Sequence, residues 1–225
     1  MPQLREALQD VLIIGAGGHG AVVLDIVLAA GIYRPIGFID ADPTQIGKKI
    51  GGVPILGPMN LVPKLKQKVH RAIVAIGDNR ARLTYAAKLV QGGFELVNAI
   101  HPTAHVSPTA TLGRNVVMAA GSIVSTSARI GDSVLVNTGA VVDHECEVGD
   151  GVHIGPGARL AGRVRVGSGA FIGMGACVIQ CLSIGSEAIV GAGAVVVRDV
   201  PDHDTVVGIP ARSMRRPTGE RLMGP

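Results

Sequence analysis

Three patches of this 225-residue sequence combine side chains whose types and spacing can do chemistry. The first is Asp143-His144-Glu145-Cys146. Histidine, with an ordinary pKa of about 6.5, exists largely as free base at neutral pH and can accept a proton from an attacking amine or hydroxyl. A carboxylate beside it, Glu145, can fix the imidazole tautomer and stabilise the imidazolium. A further histidine, His153, follows nine residues on. The second patch is Gly-Ala-Gly-Gly-His-Gly at 15–20, where Gly17, Gly18, His19 and Gly20 run from an apolar segment into a helical one. That arrangement is the glycine-loop template for a phosphate at a helix N-terminus. Asp40 lies twenty residues past Gly20, where an acid meets a ribose hydroxyl in dinucleotide enzymes, and Asp42 is close by. The third patch is Gly77-Asp78-Asn79, at the end of another apolar run. Each patch also has a plainer reading, as a solvated His–Glu pair or as strand-to-helix turns.

Composition narrows the partners. Aromatics make up 2% of the chain, with 32 glycines and abundant aliphatics, which fits thin repeated layers with a turn at every corner. The net charge of +4 is mild, and no basic run is interleaved with aromatics, so no nucleic acid polymer is expected as a partner. A small polyanion such as a nucleotide or CoA suits it better. Three cysteines without a CxxC pair speak against a disulfide framework or a thiolate zinc site and for a reducing cytoplasm. The N-terminal apolar run is too short to span a membrane and breaks into glycines instead of a cleavage site.

Two periodicities divide the chain. Residues 11–98 alternate strand and helix: VLIIGAG, HGAVVLDIVLAA closed by Gly31, PIGFID, RAIVAIGD, then NRARLTYAAKLVQGG. This predicts a small α/β, Rossmann-like domain with a parallel sheet. From Ile100 every sixth residue is aliphatic at seventeen successive positions, to Val196, with a small or β-branched residue four places after each except at Leu182. A period of six matches neither a helix nor a hairpin series. It predicts a triangular parallel β-helix, eighteen residues per coil and about 4.8 Å between coils, filled by the aliphatic column. The boundaries read 1–98 for the first domain, 99–201 for the β-helix and 202–225 for a C-terminal tail, each of the first two with its own ligand.

The coil length places further residues. Gly162 lies eighteen after His144, at the same corner one coil on, leaving a bare N–H suited to an oxyanion. Asn137, Gly155, Gly173 and Gly191 step by eighteen along one edge, with Met174 and Ala192 beside them. An extended pantetheine arm fits such a lane, although glycine also simply serves turns. Arg198, Arg212, Arg215 and Arg216 are candidates for CoA phosphates.

The whole pattern resembles the hexapeptide-repeat acyltransferases with a nucleotide-sugar domain ahead of the helix. These are the sialic acid O-acetyltransferase family and the sugar N-acetyltransferases of bacillosamine and perosamine biosynthesis. The resemblance rests on GAGGHG at 15–20, FID at 38–40, AIGDN at 75–79, IHPTAHVSPTA at 100–110, the run from Asn137 to Cys146, and VGIPAR at 207–212. It implies a left-handed β-helix, trimers about the helix axis with sites between neighbours, and acetyl transfer from acetyl-CoA to an amino group on a nucleotide-linked sugar, by direct attack on the thioester. It further implies His144 as base, Glu145 as its partner and His153 near the acetyl group or the amine. O-acetylation of a sugar hydroxyl is the alternative. An NAD enzyme is disfavoured because fewer than 100 residues precede the repeat, leaving no second mononucleotide half. A γ-type carbonic anhydrase is disfavoured by the wrong histidine spacing, so no metal is expected. A purely structural β-helix would leave the glycine loop and His144-Glu145 unexplained.

Overall fold

The computed structural model describes residues 8–214. Its first unit is a six-stranded sheet: β1 Gln9–Ile14, β2 Tyr33–Ile39, β3 Lys49–Ile50, β4 Val53–Gly57, β5 Arg71–Val74 and β6 Glu95–Leu96. The spatial order is β3-β4-β2-β1-β5-β6, parallel throughout except for the β3–β4 hairpin at one edge. The helices are α1 Gly18–Ala30, the single turn α2 Val62–Leu65, and α3 Asn79–Gln91. Gly31 ends α1 in the left-handed region at φ 65°, its N–H on the Val27 carbonyl, as a C-terminal glycine should. The β3–β4 hairpin adds an antiparallel edge that the strand–helix alternation alone does not predict.

From Ala99 the chain winds into a left-handed parallel β-helix of two-residue strands stacked on three faces. The first face carries Ala99, Val117, Leu135, His153, Phe171 and Ile189; the second His105, Ile123, Val141, Arg159, Cys177 and Val195; the third Thr111, Arg129, Glu147, Arg165 and Ser183. Residues eighteen apart pair without a slip, from Val117 with Leu135 to Cys177 with Val195. The aliphatic column fills the prism, with Ile100, Val106 and Leu112 half-buried at the open end. Side chains of adjacent residues alternate in and out, so one residue per strand enters the column and its neighbour faces outward. The stack continues past 201: Thr205–Val207 pairs in parallel with Ile189–Val190, and Arg212–Ser213 pairs back antiparallel on it. Thr205–Val207 and Arg212–Ser213 are thus the last layer of the first face, while Gly208 and Ala211 bond Val195 on the second.

The two units share a core. Val117 and Leu135 on the first face, with Ala119 at its edge, are buried with Val11, Ile13, Val23 and Leu24. Asn115, fully buried, accepts the Val74 N–H at 2.7 Å and donates to Ser133 Oγ at 3.0 Å. The β-helix is not self-contained on this face.

Candidate active site

The first group of sequence-selected residues gathers at the second edge, between the second and third faces. His144 and Glu145 project outward there, each about half exposed, with His144 Nδ1 3.3 Å from Glu145 Oε2. Val142 and Cys146 on either side are buried in the prism, which forces the corner between them outward. If Nδ1 carries the proton toward Glu145, Nε2 is left with its lone pair free. Gly162, one coil on, lies against the ring on the Nε2 side; a Cβ there would fall 2.5 Å from Cε1. Among the described residues the Gly162 N–H has no acceptor, as is also true of Thr126 and Gln180 at the same corner of other coils; what sets Gly162 apart is that its N–H lies beside the His144 ring. Arg163 Nε donates to Glu145 Oε2 at 2.7 Å and, with His144, holds the Glu145 carboxyl below its ordinary range.

A second group lies on a different edge, between the first and second faces. Asn137 Nδ2 is 3.3 Å from His153 Nε2, and Phe171 meets the His153 ring edge-on at 4.9 Å between centroids. Gly155, Gly173 and Gly191 do line this edge, with Met174 62% exposed beside them. Their smallness has a steric cause: a Cβ would strike the next coil at 2.7 Å from the Ile172 carbonyl oxygen, 2.6 Å from the Ala192 nitrogen and 2.7 Å from Val207 respectively. The same collision recurs on the third edge at Gly149 and Gly167, at 2.7 and 2.5 Å, so the lane is not unique to one edge. Within one chain the second face separates this edge from His144.

The third group surrounds a cavity of about 470 Å³ at the carboxyl ends of β1, β2 and β5. Gly17, Gly18, His19, Asp40 and Gly77 line it, together with Met59 and Tyr85. A Cβ at Gly17, Gly18 or Gly77 would meet nothing within 4 Å, so protein packing does not demand glycine there. The thirteen-residue α1 begins at the loop with Gly17 as N-cap, no side-chain cap and no acid in its first turn. Its first N–H groups and dipole therefore favour an anion. Gly20 differs: a Cβ would run into the Gly15 carbonyl, so it serves the turn. Asp40 accepts the Ala16 N–H at 2.6 Å and the Asp42 N–H at 2.9 Å, tying loop to sheet. Asp42 is exposed and caps a short turn through the Thr44 N–H and hydroxyl, both about 2.8 Å or less away. Asp78 caps α3 through the Ala81 N–H at 2.8 Å, and Asn79 donates to the carbonyls of Gly169 and Ala170 at 3.0 and 3.2 Å. Asp42, Asp78 and Asn79 do not line this cavity; Asp78 and Asn79 border a second hollow against Phe171 and Glu187.

One residue that the sequence gave no reason to select is Arg82, on α3 and 0% exposed. Its guanidinium donates to the carbonyls of Ser133 at 2.7 Å, Gly151 at 2.9 Å, Ile76 at 3.0 Å and Gly77 at 3.1 Å, and to Asn79 Oδ1 at 2.9 Å. It joins the cavity wall to the β-helix just before His153. Burial lowers its pKa to about 10. His19 and His153 are both brought down to about 4, first by burial and then by the Arg82 charge. Arg198 and Arg212 are exposed; Arg215 and Arg216 lie outside the described residues.

A β-helix of hexapeptides carrying an outward His–Glu pair beside a free glycine N–H, behind an α/β unit with a glycine-loop cavity, is the build of a hexapeptide-repeat acyltransferase. Residues 10–89 match the PglD N-terminal domain, and residues 127–162 match the bacterial transferase hexapeptide (six repeats). GDP-perosamine N-acetyltransferase from Caulobacter crescentus, solved as a histidine-to-alanine variant with CoA and GDP-perosamine, is 46% identical over 93% of this chain and 99% of its own, with a TM-score of 0.89. The acetyltransferase domain of PglB from Neisseria gonorrhoeae FA1090, in complex with acetyl coenzyme A, is 39% identical over 92% of this chain and 100% of its own, with a TM-score of 0.87. UDP-N-acetylbacillosamine N-acetyltransferase of Bacillus subtilis (strain 168) is 38% identical over 116 residues, 50% of this chain. That match spans about half the length of the curated relative, 52%. The chain belongs to the family of acetyl-CoA-dependent sugar N-acetyltransferases that includes GDP-perosamine N-acetyltransferase.

Proposed function

We propose that this protein transfers the acetyl group of acetyl-CoA to the amino group of a nucleotide-linked amino sugar. The observation that carries the reading is the second-edge constellation: His144 with Glu145 at Nδ1 and the unengaged Gly162 N–H beside Nε2. The neutral amine attacks the thioester carbonyl, forming C–N while the oxyanion takes the Gly162 N–H. His144 Nε2 removes the amine proton, and collapse breaks C–S, releasing the CoA thiol with that proton. Met174, Ala192 and the glycines of the first edge receive the pantetheine arm, and Arg198 and Arg212 face its phosphates.

The glycine loop at the α1 N-terminus takes the diphosphate, with His19, Asp40 and Gly77 around the rest of the nucleotide-sugar. Because His144 lies on another edge from both His153 and the lane, the reading includes a homotrimer in which neighbouring copies complete each site. It also includes the division at 98, with residues 1–98 a Rossmann-like nucleotide-sugar domain and the β-helix the acyltransferase domain, in a reducing cytoplasm. Among the described residues no helix is long and apolar enough to cross a membrane.

The test replaces His144 by Ala and Asn. With GDP- and UDP-linked 4-amino sugars as acceptors, kcat should fall by on the order of 10²–10⁴ while acetyl-CoA affinity stays near normal. A variant keeping a third of wild-type kcat would remove His144 from this role.

A further inference from the structure

The same left-handed corner position is occupied on three successive coils by Glu145, Arg163 and Cys181, at φ 57°, 60° and 61°. Identical backbone geometry eighteen residues apart stacks their side chains as a ladder. Its first step is a directed bond: Arg163 Nε donates to Glu145 Oε2 at 2.7 Å, and that oxygen is the one 3.3 Å from His144 Nδ1. Arg163 also meets the Cys181 thiol on its other side.

We propose that Arg163 is a positioning residue for the reaction: it holds the Glu145 carboxylate at the His144 Nδ1 and offsets the negative charge that His144 would otherwise face alone. The inference rests on the reading of His144 as base and adds to it a device that sets the strength of that base. A carboxylate with no cation nearby stabilises imidazolium and keeps the ring protonated. One shared with a guanidinium still orders the tautomer but favours imidazolium less.

The other charged and titratable groups around His144 are few. Asp143 accepts the His144 N–H at 2.7 Å. Cys146 is buried and turned to the Ala161 carbonyl at 3.1 Å. The corner of the preceding coil, Ser125-Thr126-Ser127, is uncharged. On the neighbouring third face Arg129 and Arg165 pair with Glu147. Arg163 is therefore the cation in direct contact with the Glu145 carboxylate among the described residues.

The experiment follows the His144 imidazole by NMR in the full-length protein, its signal assigned by its loss in His144→Ala. In Arg163→Met the His144 midpoint should rise by about half a pH unit, roughly a threefold change in the free-base ratio, the scale of an exposed ion pair. Glu145→Gln should move it the opposite way, and Arg163→Lys should restore most of the wild-type value because the charge remains. The kcat/KM profile for acetylation of GDP-perosamine should carry the same displacement in its acidic limb. A midpoint in Arg163→Met within about 0.1 unit of wild type would overturn the proposal. An active His144→Ala enzyme would instead overturn the reading beneath it, so the two failures are distinguishable.

Discussion

Gly162 and the His144 ring occupy adjoining space so closely that a Cβ on Gly162 would lie 2.5 Å from Cε1 and closer still to Nε2. Gly162 is not at a left-handed corner position, so its smallness answers to the histidine above it and not to its own backbone. Gly162→Ala should push the ring aside and shield the N–H together. We expect kcat to fall by on the order of 10²–10³, the effect of losing an oxyanion donor, with the melting temperature within a few degrees of wild type. Rate assays and a thermal melt on the same sample check this. Unfolding of the variant would make Gly162 a packing residue alone.

The glycine loop offers a contrast between neighbours. Gly17 is extended, at φ −82° and ψ −167°, and a Cβ there meets only the cavity. Gly20 abuts the Gly15 carbonyl. Gly17→Val should fold normally but lose GDP and UDP affinity by tenfold or more, while CoA binding is unchanged. Gly20→Ala should destabilise the protein by about 1–3 kcal/mol through overpacking. Calorimetry with nucleoside diphosphate and with CoA, beside thermal melts, separates the two. Equal nucleotide affinity in wild type and Gly17→Val would reduce the loop to a turn.

The β-helix was legible because its period is written in every coil: an aliphatic residue entering the column, a small one four places on, a glycine or polar residue at the corner. The Gly162–His144 contact followed from the coil length of eighteen. The β3–β4 hairpin does carry a signal in the sequence: Gly51-Gly52 between apolar residues, both at positive φ, forms a two-residue hairpin turn. Arg82 had none. On a helix it reads as a solvated face, and its acceptors are largely backbone carbonyls, the β-helix ones 51 to 70 residues away, which leave no mark in side-chain type. Gly155, Gly173 and Gly191 share one edge, but their smallness reflects coil-to-coil contact that Gly149 and Gly167 on another edge share.

The shared core makes the two units interdependent. Arg82→Met removes donors from carbonyls on both units and should cost about 3 kcal/mol or more, since the acceptors stay buried. A chain starting at Ala99 would expose Val117, Ala119 and Leu135 and leave the Asn115 amide without the Val74 N–H. It should be poorly soluble unless those three residues are made polar, after which CoA binding should return and nucleotide binding should not. Denaturant titration of Arg82→Met and calorimetry on the truncated chain are the measurements. Wild-type stability in Arg82→Met would show that water replaces the guanidinium at no cost.

His19 Nε2 and His153 Nδ1 are both buried without a hydrogen-bond partner among the described residues, and both rings titrate at about 4 instead of 6.5. Folded, each ring binds its proton only near pH 4; unfolded, each binds it near the ordinary value of 6.5. Between those values the unfolded chain holds more protons, so stability rises with pH across the window. The stabilisation from neutral His19 and His153 is complete above pH of about 6.5 and drains as acid is added toward pH of about 4. Each histidine contributes at most about a tenfold change in the folding equilibrium per pH unit. Melting temperatures of the wild type should therefore fall steeply from pH 6.5 to 4, and His153→Phe should flatten that slope by about half, since His19 remains. Adding His19→Phe should flatten it further. A double variant as acid-sensitive as wild type would place the proton uptake elsewhere and leave both histidines charged in the folded protein at mildly acidic pH.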